Sequence, residues 1–216
     1  MGERRPSSRL ESLPDELLRD IISRVARSDR TDVRNVMVTS TELSIHAKDR
    51  EVRKSINLSA FTRFPRWAEN FEKLMEKCAD GGNVEAHYVK GIREYFLQNN
   101  VAVGLNHLKK AADGGYDDGI YLYVILMLCN GETVEGKTYL DKLEWTRNMA
   151  RGDKCWRNVR RSLEAILVIR KNKYVTMLKA SRPRKECKVN DMDTRCEKCY
   201  YYKQMKMFVN IRSLYM

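Results

Sequence analysis

Apolar residues recur at helical spacing along most of the chain, and polar breaks cut the pattern into short lengths. The stretch ESLPDELLRDIISRV sets Leu17, Leu18, Ile21, Ile22 and Val25 on one helical face. Ser12 or Leu13 marks its boundary, Pro14 suits a first turn, and Asp15 and Glu16 suit the positive end of the helix dipole. Leu13 stands just outside that helix with no evident core to enter, so a Leu-Pro step here reads as an anchor for another protein. Two more helical patterns follow. TDVRNVMVTS has Thr31 as its cap, with Val33, Val36 and Met37 facing inward; STELSIHAKDREVRKSI carries Leu43, Ala47, Val52 and Ile56. Three helices this short bury little area, so the unit calls for a neighbour.

That neighbour is a repeat. CADGGNVEAHYVKG (78–91) matches AADGGYDDGIYLYV (111–124) at an offset of 33 residues: Ala79-Asp80-Gly81-Gly82 recurs as Ala112-Asp113-Gly114-Gly115, and Tyr88 as Tyr121. GLNHLKK (104–110) answers GKTYLDK (136–142) at an offset of 32. A period in this range points to stacked helix–turn–helix units, none able to bury its apolar face alone. Gly-Gly ends a helix, Asn83 or Asp117 caps the next, and Ala79, Ala86, Ala111 and Ala112 let neighbouring helices approach. ENFEKLMEKCADGG reads as the second half of an earlier, incomplete unit. WRNVRRSLEAILVIRK reads as an amphipathic helix closing the stack, packing Val159, Leu163, Ile166 and Leu167 and leaving Arg157, Arg160, Arg161 and Arg170 wet.

A chain of 216 residues with 43% hydrophobic residues is long enough for a real core. YLYVILMLC (121–129) is about half the length of a membrane span, and MGERRPSSRL has no apolar run of the secretory kind. These features predict an intracellular chain, in the nucleus, the cytoplasm or both, with its six cysteines as thiols. The net charge of +12 is concentrated late: residues 147–216 hold 19 basic against 6 acidic side chains, whereas the preceding part holds 22 against 23. Such asymmetry suits an acidic partner or nucleic acid, yet no RNA-binding signature accompanies it, so no nucleic-acid role is assigned.

Candidate chemistry is sparse. Cys187, Cys196 and Cys199 form a CxxC preceded by one further cysteine, whereas structural zinc takes four ligands, typically in two pairs. His46, His87 and His107 all lie far upstream, and only Asp191, Asp193 or a second chain could complete a set. No metal, cofactor or catalytic residue is assigned, and CYYYKQMKMF (199–208) reads either as a base-stacking segment or as a short helix packing Tyr and Met.

Taken with the helices that follow it, LESLPDELLRDIISRV resembles an F-box, through Leu10, Leu13, Pro14, Leu17, Leu18, Ile21, Ile22 and Val25. EAHYVKGIREYF and GLNHLKKAADGGYDDGIYLY resemble Sel-type, tetratricopeptide-related repeats, and the order of the two is similar to a plant family of F-box proteins. The resemblance implies an all-α fold, a three-helix F-box followed by a short right-handed stack of antiparallel helix pairs. It also implies a non-catalytic, substrate-recruiting subunit of an SCF ubiquitin ligase. Those eight residues would then be the protein-binding site, docking a Skp adaptor and through it a cullin, while the repeats hold a protein substrate. The organisation expected is a tail (1–9), the F-box (10–58), repeats (59–146), a basic capping region (147–180) and a basic, cysteine-containing tail (181–216). The alternative is a repeat scaffold that binds protein or RNA through its basic end.

Overall fold

The computed structural model describes residues 10–144, 147–183, 187–191 and 196–211; the expected tail at 1–9 lies outside them. The described residues are all-α, without a strand. Four short helices come first: α1 (Asp15–Ser28), α2 (Arg30–Thr39), α3 (Thr41–Ala47) and α4 (Arg50–Ser55). The third sequence pattern is thus two helices and not one. Ser40 caps α3 through Leu43 N, and Asp49 starts α4 by accepting from Glu51 N, so a competing cap breaks the run at Lys48. Similarly, Asp29 caps α2 by accepting from the Thr31 amide at 2.8 Å, the role expected of Thr31 itself. Of the three α2 residues expected inside, Val33 is buried, Val36 is partly buried and Met37 is exposed.

Next come α5 (Ser59–Arg63), a 3-10 turn (Pro65–Phe71) and α6 (Glu72–Asp80), then the repeats: α7 (Val84–Ile92, prolonged by a π-helical turn, Arg93–Leu97), α8 (Val101–Asp113), α9 (Asp117–Asn130) and α10 (Thr133–Asp141). α7 packs on α8, α8 on α9 and α9 on α10, as the period predicted. Gly82 and Gly115 take φ values of +87° and +80° at equivalent turns, which explains the paired glycines. Asn83 caps α7, but Asp117 does not cap α9; it is the first residue of that helix, and its carboxylate is held by Arg151. Ala79, Ala86, Ala111 and Ala112 are all buried.

The C-terminal part departs most from expectation. α11 (Met149–Leu163) begins and ends earlier than the amphipathic pattern suggested, so Leu167 is exposed and Val168 is buried in its stead. α12 (Asn172–Ala180) follows, and α13 (Glu197–Val209) is a core helix, the second of the two readings given to CYYYKQMKMF. α11, α12 and α13 all pack against α9, which the repeats already cover on its other sides. Its residues from Asp118 to Cys129 are buried, which is why YLYVILMLC is apolar all round.

Two apolar cores result. The first joins α1–α4 to Phe61, Ala68, Met75, Cys78, Ala86 and Val89, so it runs on past Leu58 into the first repeat helices. The second surrounds α9. Asn83 joins the halves. Its carboxamide donates to the carbonyls of Arg53, Lys54 and Ile56 at 2.8–3.2 Å, filling the orphan acceptors where α4 ends, while its oxygen caps α7. No helix among the described residues is long and apolar enough to cross a membrane.

Candidate functional site

The Leu-Pro step opens α1 one residue later than expected, with Pro14 at the N-cap and not in the first turn. Pro14 precedes α1, and Asp15 and Glu16 occupy the first turn. The eight residues of the predicted surface divide into three groups. Leu18 and Ile22 are 1% and 2% exposed and belong to the molecule's own core, so they are not part of an external face in the free chain. Leu13 and Val25 are half-buried, Leu13 packing against that core. Leu10, Pro14, Leu17 and Ile21 point outward, Leu17 with half its surface free. The division follows from helical geometry: residues 18, 22 and 26 share one stripe, and 17 and 21 lie a step around the helix. The neighbouring helices add outward apolar residues that the sequence reading missed, Val38 at 79% and Ile45 at 67% exposed. The signal for Ile45 was present, since the i, i+4 row of Leu43 and Ala47 leaves position 45 on the far side. The entry into α1 is fixed by Ser40 donating to Glu11 at 2.6 Å and by His46 within 3.7 Å of Asp15.

A second feature is a polar cleft of about 560 Å³ between α5, α11 and the start of α9. Ser59, Thr62, Glu85, Asp118, Asn158 and Ser162 line it. Asp118 accepts from the Asn158 carboxamide at 3.1 and 3.3 Å, and burial pushes its carboxyl up to about 6. Burial also raises Glu85, which accepts the Leu58 amide at 2.6 Å. Beside them Arg151 grips Asp117 with two bonds of 2.9 and 2.7 Å, a fork that leaves the pair rigid. Ser162 receives the Tyr88 hydroxyl and donates to the Thr62 carbonyl at 2.6 Å, tying α11 to α5 and α7. Cys155, at the cleft wall, is pushed upward by burial and by Asp118, the reverse of what an attacking thiolate needs. Arg63, Lys154 and Arg161 line the cleft as well, so it offers a polar group both donors and acceptors.

His87 and His107, which gained no role from the sequence, share a hydrogen bond between their Nδ1 atoms at 2.9 Å. Burial, then His107 and the lysines Lys110 and Lys90, push His87 down to about 4; burial and the same lysines lower His107. A neutral imidazole pair packed between α7 and α8 is a structural contact.

The last region is organised around thiols. Cys196 is the N-cap of α13, accepting from Cys199 N, and the Cys199 sulfur accepts from the Cys196 amide at 3.1 Å. Cys187 Sγ lies 3.4 Å from Cys196 Sγ, and the three sulfurs fall within 4.8 Å of one another. Its hydrogen bond to Cys196 pushes Cys187 up to about 11. Tyr200, Tyr201, Tyr202 and Phe208 are buried, so they offer no stacking platform to bases.

Comparison with known proteins agrees with this architecture. The family described as plant tetratrico peptide repeats matches residues 59–168, half of the chain. The F-box protein At2g35280 of Arabidopsis thaliana is 40% identical over 140 residues, 65% of this chain and 86% of that protein. The putative F-box protein At1g67623 is 31% identical over 60% of this chain and 44% of its own length, and the F-box protein At1g67340 is 25% identical over 54% and 32%, both from the same plant. The chain thus spans less than half of these last two. No solved structure matches.

Proposed function

This chain belongs to the plant tetratrico peptide repeat family and is of the F-box type, and from that premise we propose that it is a non-catalytic adaptor subunit of an SCF-type ubiquitin ligase. Its first helices dock a Skp adaptor and, through it, a cullin; the repeats hold a protein substrate. The observation that carries this reading is the outward set Leu10, Pro14, Leu17 and Ile21 beside Val38 and Ile45, apolar side chains that the chain's own core leaves unused. Fully burying an exposed leucine or isoleucine contributes about 1.5–3 kcal/mol, so covering the exposed parts of these side chains favours docking. The likeness to named F-box proteins supports the same assignment. The Sel-type character of the repeats, the division at residues 58, 146 and 180, and a nuclear or cytoplasmic location belong to this reading too.

The substrate end is the polar cleft, where Asp118 and Glu85 stand among Arg63, Lys154 and Arg161 and offer a segment of the target both acceptors and donors. No chemistry is required of this chain: holding the target near a charged ubiquitin carrier raises its effective concentration there. The test is capture of the Skp adaptor by the full chain. Substituting Pro14→Ala together with Leu17→Ala is expected to abolish capture at unchanged helicity; capture equal to wild type overturns the assignment.

A further inference from the structure

We propose that Cys187, Cys196 and Cys199 form a zinc site that fastens the segment before α13 to that helix. The three sulfurs come from two stretches of chain and meet within 4.8 Å, with 3.4 Å between Cys187 and Cys196. Zn–S bonds of about 2.3 Å at tetrahedral angles set sulfurs about 3.8 Å apart, so the cluster needs only small shifts to close on an ion. Among the described residues no further cysteine, histidine or carboxylate joins the group, so the fourth corner takes a ligand other than these thiolates.

Three features suit a cation held by thiolates. Cys196 and Cys199 sit at the N-cap and third position of a thirteen-residue helix, where backbone N–H groups already point at both sulfurs and the dipole favours negative charge. The segment that brings Cys187 is pinned independently of the sulfurs. Lys203 Nζ donates to the Asp191 carbonyl, and Lys206 Nζ donates to Asn190 Oδ1 at 2.6 Å. Finally, three thiolates around one Zn²⁺ carry a net charge of −1, and Lys203, 1% exposed and four residues beyond Cys199 on the same helix face, brings a basic side chain to the stretch that carries Cys187. Loading releases the three thiol protons to solvent and changes no oxidation state.

The consequence is structural. α13 packs Tyr200, Met205 and Phe208 into the core around α9, so an ion at its first turn stabilises the docking of the whole C-terminal region. The test uses the untagged full chain purified under reductant from zinc-supplemented cells. Elemental analysis is expected to find about one zinc ion per chain, and replacing it with Co²⁺ is expected to give the intense sulfur-to-cobalt charge-transfer bands of a tetrahedral thiolate site. Cys187→Ser and Cys196→Ser, at partly exposed positions, should lose the ion while keeping the helical circular dichroism; Cys78→Ser, in the other core, should retain it. A metal-free chain that is silent to added Co²⁺ overturns the site. So does a Cys187–Cys196 disulfide found by mass spectrometry in the reduced preparation, or a Cys187→Ser chain that holds zinc as wild type does.

Discussion

α1 and α9 are both fourteen residues long and both rich in leucine and isoleucine, yet they end differently. α9 is covered by α8, α10, α11, α12 and α13, and twelve of its residues are buried. α1 packs chiefly against the shorter α2, α3 and α4, and four of its residues are buried. One helix spends all its apolar surface on the fold. The other keeps part of it outward, at Leu17 and Ile21, while still anchoring a core through Leu18 and Ile22. Apolar composition alone therefore does not separate a core helix from a docking helix; the number and length of the helices around it do.

The sharpest way to break the comparison is to cut into α9. Leu126 is fully buried at the centre of the larger core, and Leu126→Ala should cost about 3–5 kcal/mol, through lost transfer energy plus the cavity left behind. Chemical denaturation followed by circular dichroism measures it, and a cost under about 1 kcal/mol would mean that α9 is not the central helix. The joint between the halves comes next. Asn83→Ala leaves the carbonyls at the end of α4 without donors and uncaps α7, with an expected cost of about 3 kcal/mol. If Asn83 couples the two cores, its loss should also split one unfolding transition into two; a single transition of unchanged midpoint would refute the coupling.

Much of this contrast is legible in the sequence, and the illegible part has a consistent cause. The opening helix, the 33-residue period and the glycine turns are local, set by spacing and by φ, and they stand where the pattern puts them. The capping of α2 by Asp29 and the break at Lys48 are local too, but two polar residues competed for each boundary. α13 was legible only as one of two readings of CYYYKQMKMF, because Lys203 and Gln204 interrupt its apolar stripe. Gln204 is accommodated from far away in sequence, the Tyr121 hydroxyl donating to it at 2.5 Å across 83 positions, while Lys203 reaches the Asp191 carbonyl twelve positions back. For the same reason the three cysteines looked like an incomplete motif until the chain before α13 folded back on it. In the first helix, spacing defined the apolar face, but only the packing of α2–α4 decided which part of that face stays outside.

Acid sharpens the comparison between the repeat helices and the cleft. Because the folded chain lowers both His87 and His107, it binds fewer protons there than the unfolded chain does. Their contribution is complete above pH 6.5 and is lost as pH falls, for His87 through about 4. Asp118 acts with the opposite sign. Its carboxyl is raised to about 6, so its burial costs stability above that pH, and acid relieves the cost. Thermal midpoints across pH 4–7 should therefore fall less steeply in His87→Gln and more steeply in Asp118→Asn. Parallel profiles for the two variants would show that neither group titrates as assigned.

The smallest expected change in stability is also the most informative for function, because it lies between two adjacent residues. Leu17 is 51% exposed and Leu18 is 1% exposed. Leu18→Ala removes a buried side chain and should cost about 2–4 kcal/mol, whereas Leu17→Ala should stay within about 0.5 kcal/mol of wild type. Adaptor capture should respond in the other sense: Leu17→Ala weakens it at full stability, and Leu18→Ala weakens it only as far as it unfolds the first four helices. Binding measured at a temperature where both variants are folded separates the two causes. If Leu17→Ala leaves capture untouched there and Leu18→Ala alone impairs it, the outward face of α1 plays no part in docking, and the two fourteen-residue helices differ only in how well they are covered.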